Sequence, residues 1–187
     1  MPRVCGETGT LSVSDKLLDA DQIKGLLIEL AAELPPKGPQ HVIVVVGGAL
    51  ITWHGFRENT RDVDSVRRFD MELQVAAAAV ASRHKLDSNW LNARAAAFRP
   101  QTLREEECEV LSDAPRLRVL GAPLRVVFAM KLFASRGSDY PDLRAIWKQC
   151  GFTTAEEAVA FFYESYPFEE HDPHLEEHVR TMIASQS

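Results

Sequence analysis

Two aspartates, Asp62 and Asp64, lie two residues apart at the start of a short apolar segment, residues 63–66, with the composition of a β-strand. Residues two apart on a strand point to the same face, so the two carboxylates lie side by side. The two carboxylates repel each other, and burying them away from water is costly unless a cation lies between them. Mg²⁺ prefers oxygen ligands and often binds phosphate oxygens as well, so the pair could form a two-metal site for phosphoryl transfer. A hydrated pair of loop aspartates is the alternative.

Two glycines follow the most apolar segment of the chain, residues 42–46, whose β-branched composition predicts a strand buried on both faces. Gly47 and Gly48 would let a ligand approach the backbone closely, and a helix that begins there offers free N–H groups to phosphate. The segment lacks the third glycine of the dinucleotide-binding fingerprint and the Gly-Lys-Ser/Thr of a P-loop. An ordinary turn between a strand and a helix is the alternative.

A second group of charged residues lies in and after a predicted helix over residues 123–135. Lys131 is a flexible point charge that suits a triphosphate, and Arg136 can bind a phosphate through two hydrogen bonds. Asp139 could belong to the site or cap the following helix, and Asp142 faces the site or solvent, depending on the phase of that helix. For the basic residues, surface salt bridges are the alternative.

The two groups together resemble the motifs of minimal nucleotidyltransferases with the DNA polymerase β fold, and more narrowly those of the AbiEii and MenT type toxins of toxin–antitoxin systems. The resemblance covers residues 40–148. Its first block reads Gly47-Gly48-Ala49, then Gly55-x-Arg57-x-x-Thr60-x-Asp62-x-Asp64. Its second block reads Ala129-Met130-Lys131-Leu132-x-Ala134-x-Arg136-x-x-Asp139-x-x-Asp142-Leu143. Two separate blocks in this order are more specific than either block alone.

The resemblance implies a magnesium- or manganese-dependent enzyme that transfers a nucleoside monophosphate from an NTP to the 3′ end of tRNA and so blocks aminoacylation and translation. Asp62 and Asp64 are then the metal ligands. The implied catalytic residues are Asp62, Asp64, Lys131 and Asp142. The implied nucleotide-binding residues are Gly47, Gly48, Arg57, Thr60, Lys131 and Arg136. A toxin of this kind implies a cognate antitoxin as a protein partner, and a pyrimidine NTP is the substrate we expect.

Several alternatives stay open at this stage. Enzymes with the polymerase β fold commonly use a third carboxylate, on a later strand, as the base for the attacking hydroxyl. Glu109, Asp139 and Asp142 are the candidates for that role. The acceptor could instead be a small molecule or a protein hydroxyl. A fold that only binds a partner, without catalysis, is the remaining alternative, and the intact glycine, aspartate and lysine positions argue against it.

Hydrophobic periodicity predicts the elements that must position these residues. Helices are predicted over residues 17–34, 49–54, 70–83, 123–135 and 141–150, from a cap at Thr153, and from Asp172-Pro173 onward. Strands are predicted over residues 42–46, 63–66, 109–111 and 117–120, with a turn at residues 113–115. The pattern of residues 87–105 favours neither a helix nor a strand. The order predicts an α+β fold, a small mixed sheet flanked by helices, with a helical C-terminal part. The resemblance assigns it to the polymerase β-like type.

The composition suits one domain with a real core, because 45% of the 187 residues are apolar. We expect residues 1–150 to form the catalytic core, with residues 1–13 loose, and residues 151–187 to form an acidic helical extension packed on it. The net charge is +1 over the first part and −7 over the second. Arginines between Arg57 and Arg118 could contact an RNA backbone. The absence of a signal-like or membrane-spanning run, with only three scattered cysteines, predicts a cytoplasmic protein that does not enter membranes.

Overall fold

A computed structural model describes residues 16–134 and 136–184. In these residues seven α-helices and a five-stranded mixed sheet form an α+β fold, which confirms the predicted fold class. The helices are α1 (Ala20–Glu33), α2 (Gly47–Trp53), α3 (Met71–His84), α4 (Leu124–Ala134), α5 (Tyr140–Ile146), α6 (Ala155–Ser165) and α7 (Leu175–Ala184). The strands are β1 (His41–Val46), β2 (Val63–Ser65), β3 (Leu91–Asn92), β4 (Glu109–Ala114) and β5 (Leu117–Gly121). Short 3₁₀ helices cover Arg94–Phe98, Glu105–Glu107, Gly137–Asp139 and Trp147–Gln149. Residues 1–13 lie outside the described residues.

The strand order is β3-β2-β1-β5-β4. The central strand β1 runs parallel to β5 and antiparallel to β2. At the edges, β3 runs parallel to β2, and β4 runs antiparallel to β5. All but one of the six residues of β1 are buried, as its unbroken apolar run predicts for a strand in the middle of a sheet.

The segment before β2 is fixed to the start of α1. Leu18 and Thr60 form an isolated antiparallel bridge in which each backbone N–H donates to the other residue's carbonyl, at 2.7 and 2.9 Å. Helix α1 begins just after this bridge, and Asp19 caps it in a reciprocal capping box with Gln22. The bridge therefore holds the loop that leads into Asp62 against a rigid helix start.

One hydrophobic cluster joins the sheet, its helices and the C-terminal helices. Phe162 of α6 and Val179 and Met182 of α7 are buried in this cluster together with the apolar face of α4. Phe128 of α4 contacts the ring of Phe152 at a centroid distance of 5.7 Å. The acidic C-terminal segment therefore shares the core of the rest of the chain.

Three sequence predictions differ from the observed elements in detail. The hairpin turn comes later than predicted, because β4 continues to Ala114 and β5 begins at Leu117. Helix α6 is capped by Thr154, whose hydroxyl accepts from the Glu157 backbone N–H, whereas Thr153 instead donates its N–H to the Glu157 carboxylate. Between residues 87 and 105, which favoured neither element, the chain forms the two-residue strand β3 and a 3₁₀ helix.

Within residues 16–134 and 136–184, no helix is both long enough and apolar enough to cross a membrane. This finding agrees with the prediction that the chain has no membrane-spanning segment. The cytoplasmic location stays a prediction.

Candidate active site

The central strand β1 ends beside both aspartates. In the pairing of β1 with β2, Val46 lies opposite Asp64. In the pairing of β2 with β3, Asp64 lies beside Asn92. Asp62 comes just before β2, and its carboxylate accepts a hydrogen bond from the Asn92 amide at 3.3 Å. The register of three strands therefore brings the aspartate pair to the end of β1.

The two glycines after β1 are required by the geometry at this strand end. Gly47 has a φ of +64°, which residues with a side chain rarely adopt, and a Cβ there would lie 3.5 Å from Oδ2 of Asp64. A Cβ on Gly48 would lie only 2.9 Å from Oγ1 of Thr60 and 3.2 Å from Nη1 of Arg57. Gly47 is therefore required by its backbone conformation, and the absence of a Cβ on Gly48 lets Thr60 and Arg57 approach the turn.

The aspartate pair is electrostatically uncompensated. Burial, and then the charge of Asp62, raise the pKa of Asp64 above its usual value of 3.8. The Asn92 amide and the positive charges of Arg94 and Lys131 act in the opposite direction without reversing the shift. A cation bound between the two carboxylates would remove the repulsion and favour their ionised forms.

Lys131 of α4 is buried and contacts two carboxylates. Its Nζ lies 2.7 Å from Oδ1 of Asp139 and 2.8 Å from Oδ2 of Asp142. The same oxygen of Asp142 accepts a hydrogen bond from Nη1 of Arg57 at 3.0 Å. The side chain of Asp142 is only 8% exposed, so it contacts Lys131 and Arg57 from the protein interior. This network fixes the position of both positive charges relative to β1.

These groups line a cavity of about 820 Å³. Its charged lining residues are Arg57, Arg61, Asp62, Asp64, Arg94, Lys131, Arg136 and Asp139. The apolar lining includes Leu17, Val46, Ala95, Phe98, Val127, Met130, Phe133 and Ala134. Five positive charges thus face three carboxylates. Among the described residues, the side chains of Arg61, Arg94 and Arg136 make no ion pair and no hydrogen bond, so three guanidinium groups are free to bind an anion.

The donor set fits Mg²⁺ or Mn²⁺. In the described part of the chain, no cluster of three or more His, Cys, Asp or Glu side chains could enclose a metal ion. Mg²⁺ does not need such a cage, because it is usually bound by one or two carboxylates, with water and substrate phosphates as its other ligands. Asp62 and Asp64 supply those two carboxylates, and a bound cation would oppose the effects of burial and of the Asp62 charge, which raise the pKa of Asp64. A site of carboxylates alone is a poor match to Zn²⁺, which prefers nitrogen and sulfur ligands.

The structure brings nearly all the predicted site residues together. The residues from the predicted set that line the cavity are Gly47, Gly48, Arg57, Thr60, Asp62, Asp64, Lys131 and Arg136. Asp142 is not part of the described cavity lining and contacts Lys131 and Arg57 from the protein interior. Of the three candidates for a third carboxylate, Asp139 lines the cavity. Glu109 lies on β4, where its carboxylate contacts His54 at 3.4 Å.

Several residues in or beside the cavity were not predicted as site residues. Asn92 lies in a two-residue strand without periodicity, so only its pairing with β2 identifies it. Phe98 and Phe133 join the cavity from elements far apart in the sequence. Trp90, two residues before Asn92, is a buried core residue whose indole N–H donates to the Ala77 carbonyl at 3.0 Å.

The arginines that could guide an RNA backbone divide into three groups. They are Arg67, Arg68, Arg94, Arg99, Arg104, Arg116 and Arg118. Four of them are engaged by acidic side chains: Arg67 and Arg99 by Glu105, Arg104 by Glu107 and Arg118 by Asp113. Arg116 is buried and therefore cannot contact RNA. Arg94 and Arg68 form no ion pair within the described residues, and of these two only Arg94 lines the cavity.

No protein-family model, no curated protein and no solved structure matches this chain significantly. The resemblance to nucleotidyltransferase toxins therefore stays a prediction that rests on the two sequence motifs.

Proposed function

We propose that this chain is a metal-dependent nucleotidyltransferase. The observation that carries the proposal is the single cavity in which an uncompensated aspartate pair, a glycine turn and five cationic side chains converge at the end of β1. A nucleoside triphosphate has the complementary chemistry, because its phosphates need both a divalent cation and positive side chains. We further propose that the acceptor is the 3′ end of tRNA, as in toxins of toxin–antitoxin systems.

Each group at the cavity has a role in this reaction. Asp62 and Asp64 would hold Mg²⁺ or Mn²⁺, which when bound stabilises charge on phosphate oxygens and aligns the groups that react. The turn at Gly47 and Gly48 exposes backbone to the phosphates. Lys131 and Arg57, both held by Asp142, balance the negative charge of the triphosphate. Transfer of this kind depends on positioning and electrostatics and needs no covalent nucleophile.

The attacking group is the 3′ hydroxyl of the acceptor, which forms a new bond to the α-phosphorus while the bond to pyrophosphate breaks. Asp139 is the carboxylate that fits the role of proton acceptor best, because among the candidates it lines the cavity. Its contact with Lys131 at 2.7 Å must loosen for that role. Asp142 acts as a positioning residue, since both of its cationic partners hold it in the interior.

The free arginines support a polyanionic acceptor. Arg61, Arg94 and Arg136 line the cavity without partners in the described chain, which is the arrangement that a nucleic-acid backbone requires. The roles of toxin and of antitoxin partner rest on the sequence resemblance. We therefore expect expression of the chain to slow bacterial growth, and Asp62→Ala to relieve that effect.

The test is to incubate the purified chain with Mg²⁺, each labelled NTP in turn, total RNA, and a lysate freed of nucleic acid. We expect label at the 3′ end of tRNA, from a pyrimidine NTP in preference to a purine NTP. Label on protein alone or on a small molecule alone would contradict the proposed tRNA acceptor but would still support nucleotidyltransferase activity. Label on none of these acceptors, with any NTP, would contradict both.

A further inference from the structure

One wall of the cavity is aromatic and open to solvent. We define the aromatic wall as Phe98 and Phe133, which line the cavity beside Ala95 and Met130. The side chain of Phe98 is 53% exposed. Leu17, another large exposed apolar residue, borders the same cavity. Exposed apolar surface inside a concave site marks a place where a ligand binds.

The aromatic wall is held in place from behind. The ring centroids of Phe98 and Phe133 lie 5.8 Å apart at an interplanar angle of 45°. Phe133 in turn stacks on Tyr166 at 4.4 Å. The hydroxyl of Tyr166 donates to the backbone carbonyl of Phe98 at 3.0 Å, and burial raises the pKa of that hydroxyl, so it stays a donor. The backbone of Phe98 is thus fixed to the end of α6, while its ring remains available to a ligand.

Free positive charge adjoins the aromatic wall. Arg94 begins the 3₁₀ helix that ends at Phe98, and Arg136 follows α4, which carries Phe133. Neither guanidinium makes an ion pair or a hydrogen bond within the described residues, and both line the cavity. Exposed aromatic rings next to unpaired arginines are the combination that binds single-stranded nucleic acid, because bases stack on the rings and phosphates meet the charges.

We propose that the aromatic wall binds the unpaired 3′ nucleotides of the acceptor RNA, with Phe98 as the stacking platform and Arg94 and Arg136 as the phosphate contacts. This inference rests on the proposed function, since it assigns the acceptor to this part of the cavity and the triphosphate to the end of β1. The bases of a duplex end are already stacked on each other. The wall therefore selects a single-stranded 3′ tail over a flush duplex end.

The experiment measures RNA binding without transfer. Two RNA hairpins of the same stem, one with an unpaired 3′ tail and one with a flush end, are titrated by fluorescence anisotropy with EDTA present. We expect Phe98→Ala and Phe98→Leu each to weaken binding of the tailed hairpin about tenfold. Binding of the flush hairpin should not change. Phe98→Leu keeps apolar contact with Phe133 but removes the flat ring, so it separates stacking from packing.

Phe98→Trp and Phe168→Ala are the matched controls. The first keeps a stacking surface and should bind the tailed hairpin at least as tightly as the wild type. The second removes an exposed ring outside the cavity lining, where Phe168 is 92% exposed, and should have no effect. Tailed RNA bound equally well by Phe98→Leu and the wild type would overturn the proposal. A loss of NTP binding with RNA binding intact would also overturn it and assign the wall to the base of the nucleotide.

The two proposals fail separately. If tail binding follows Phe98 but no NTP is transferred to any acceptor, the aromatic wall stands as a single-strand site and the nucleotidyltransferase is wrong. If transfer to RNA proceeds with an unchanged KM for tailed RNA in Phe98→Leu, the nucleotidyltransferase stands and the aromatic wall is wrong.

Discussion

The two ends of β1 carry charged clusters of opposite design. At its first residue, the His41 imidazole contacts Glu72 at 2.6 Å and Asp70 at 3.1 Å. The buried Arg116 guanidinium donates to Glu72 and to the backbone carbonyls of residues 35, 37 and 39. At the other end, the carboxylates of Asp62 and Asp64 line one cavity, and neither makes an ion pair with a described side chain. We call the first group, His41, Asp70, Glu72 and Arg116, the closed cluster, and the second, Asp62 and Asp64, the open cluster.

The contrast separates structural charge from functional charge. In the closed cluster, the hydrogen bond from His41, the largest cause, lowers the pKa of Glu72, which is the sign of a carboxylate whose partner is already present. In the open cluster, burial and like charge raise the pKa of Asp64, which is the sign of a partner still to be bound. Buried charge is costly, so an uncompensated pair persists where a ligand completes it.

The largest expected effect on stability is at the closed end. Arg116→Met leaves three backbone carbonyls without their donor and Glu72 with only His41 as a described partner, so we expect the free energy of unfolding to fall by about 4 kcal/mol. Arg83→Met is the control, because its solvent-exposed ion pairs with Glu29 and Glu33 contribute little to stability. Denaturant unfolding measures both. A cost for Arg116→Met no larger than that of the control would show that the closed cluster does not support the fold.

A smaller loss is expected for Lys131, together with a loss of activity. Lys131→Met removes the partner of Asp139 but leaves Asp142 with Arg57, so we expect about 2 kcal/mol of destabilisation. The double variant Lys131→Met/Asp139→Asn should regain part of that stability, because the unpaired carboxylate is gone. It should not regain transfer. Transfer at the wild-type rate by Lys131→Met would make Lys131 a structural residue only, and recovery of transfer in the double variant would contradict the roles of both Lys131 and Asp139.

The extent to which the sequence predicts this molecule differs between local and long-range features. The β-branched run of β1 and the spacing of Asp62 and Asp64 are local patterns, and both lie where the sequence predicts them. The contact of Asp142 with Lys131 depends on how α5 packs against α4, which no periodicity encodes. The contact of Asp142 with Arg57 joins residues 85 positions apart, so the sequence pattern does not predict it either.

Short elements were missed for a related reason. Strand β3 has two residues, too few for alternation, and exists because it pairs with β2. The cap of α6 moved from Thr153 to Thr154 because both threonines precede a glutamate by three residues, and the tertiary position of the helix decides between the two. The aromatic wall could not be predicted from the sequence either, because Phe98 and Phe133 come into contact only in the folded chain.

A modest gain in stability is expected from neutralising the open cluster. Because the folded pKa of Asp64 is raised above 3.8, the folded state loses stability as pH rises through this range and does not recover it at neutral pH. Asp64→Asn removes that loss. We expect its Tm to exceed that of the metal-free wild type at pH 7, with the difference vanishing below pH 3.8. A lower Tm at neutral pH would mean that Asp64 already has a counter-charge.

The smallest effect on stability is expected from the free arginines. Arg94→Gln and Arg136→Gln should each change the free energy of unfolding by less than about 0.5 kcal/mol, because neither guanidinium makes an ion pair or a hydrogen bond within the described residues. Their RNA binding should weaken and become less sensitive to salt. Arg68→Gln is the matched control, since Arg68 has no ion pair in the described chain and does not line the cavity. Equal salt dependence in all three variants would argue against a phosphate role.

The most direct test of the open cluster compares the rate of nucleotide transfer with the melting temperature in one variant, Asp64→Asn. If the aspartate pair exists to bind a catalytic metal ion, the variant must be inactive and, without metal, more stable than the wild type. Addition of Mg²⁺ should raise the Tm of the wild type and leave that of Asp64→Asn nearly unchanged. Undiminished transfer by a folded Asp64→Asn would contradict the assignment of this end of β1 as the active site.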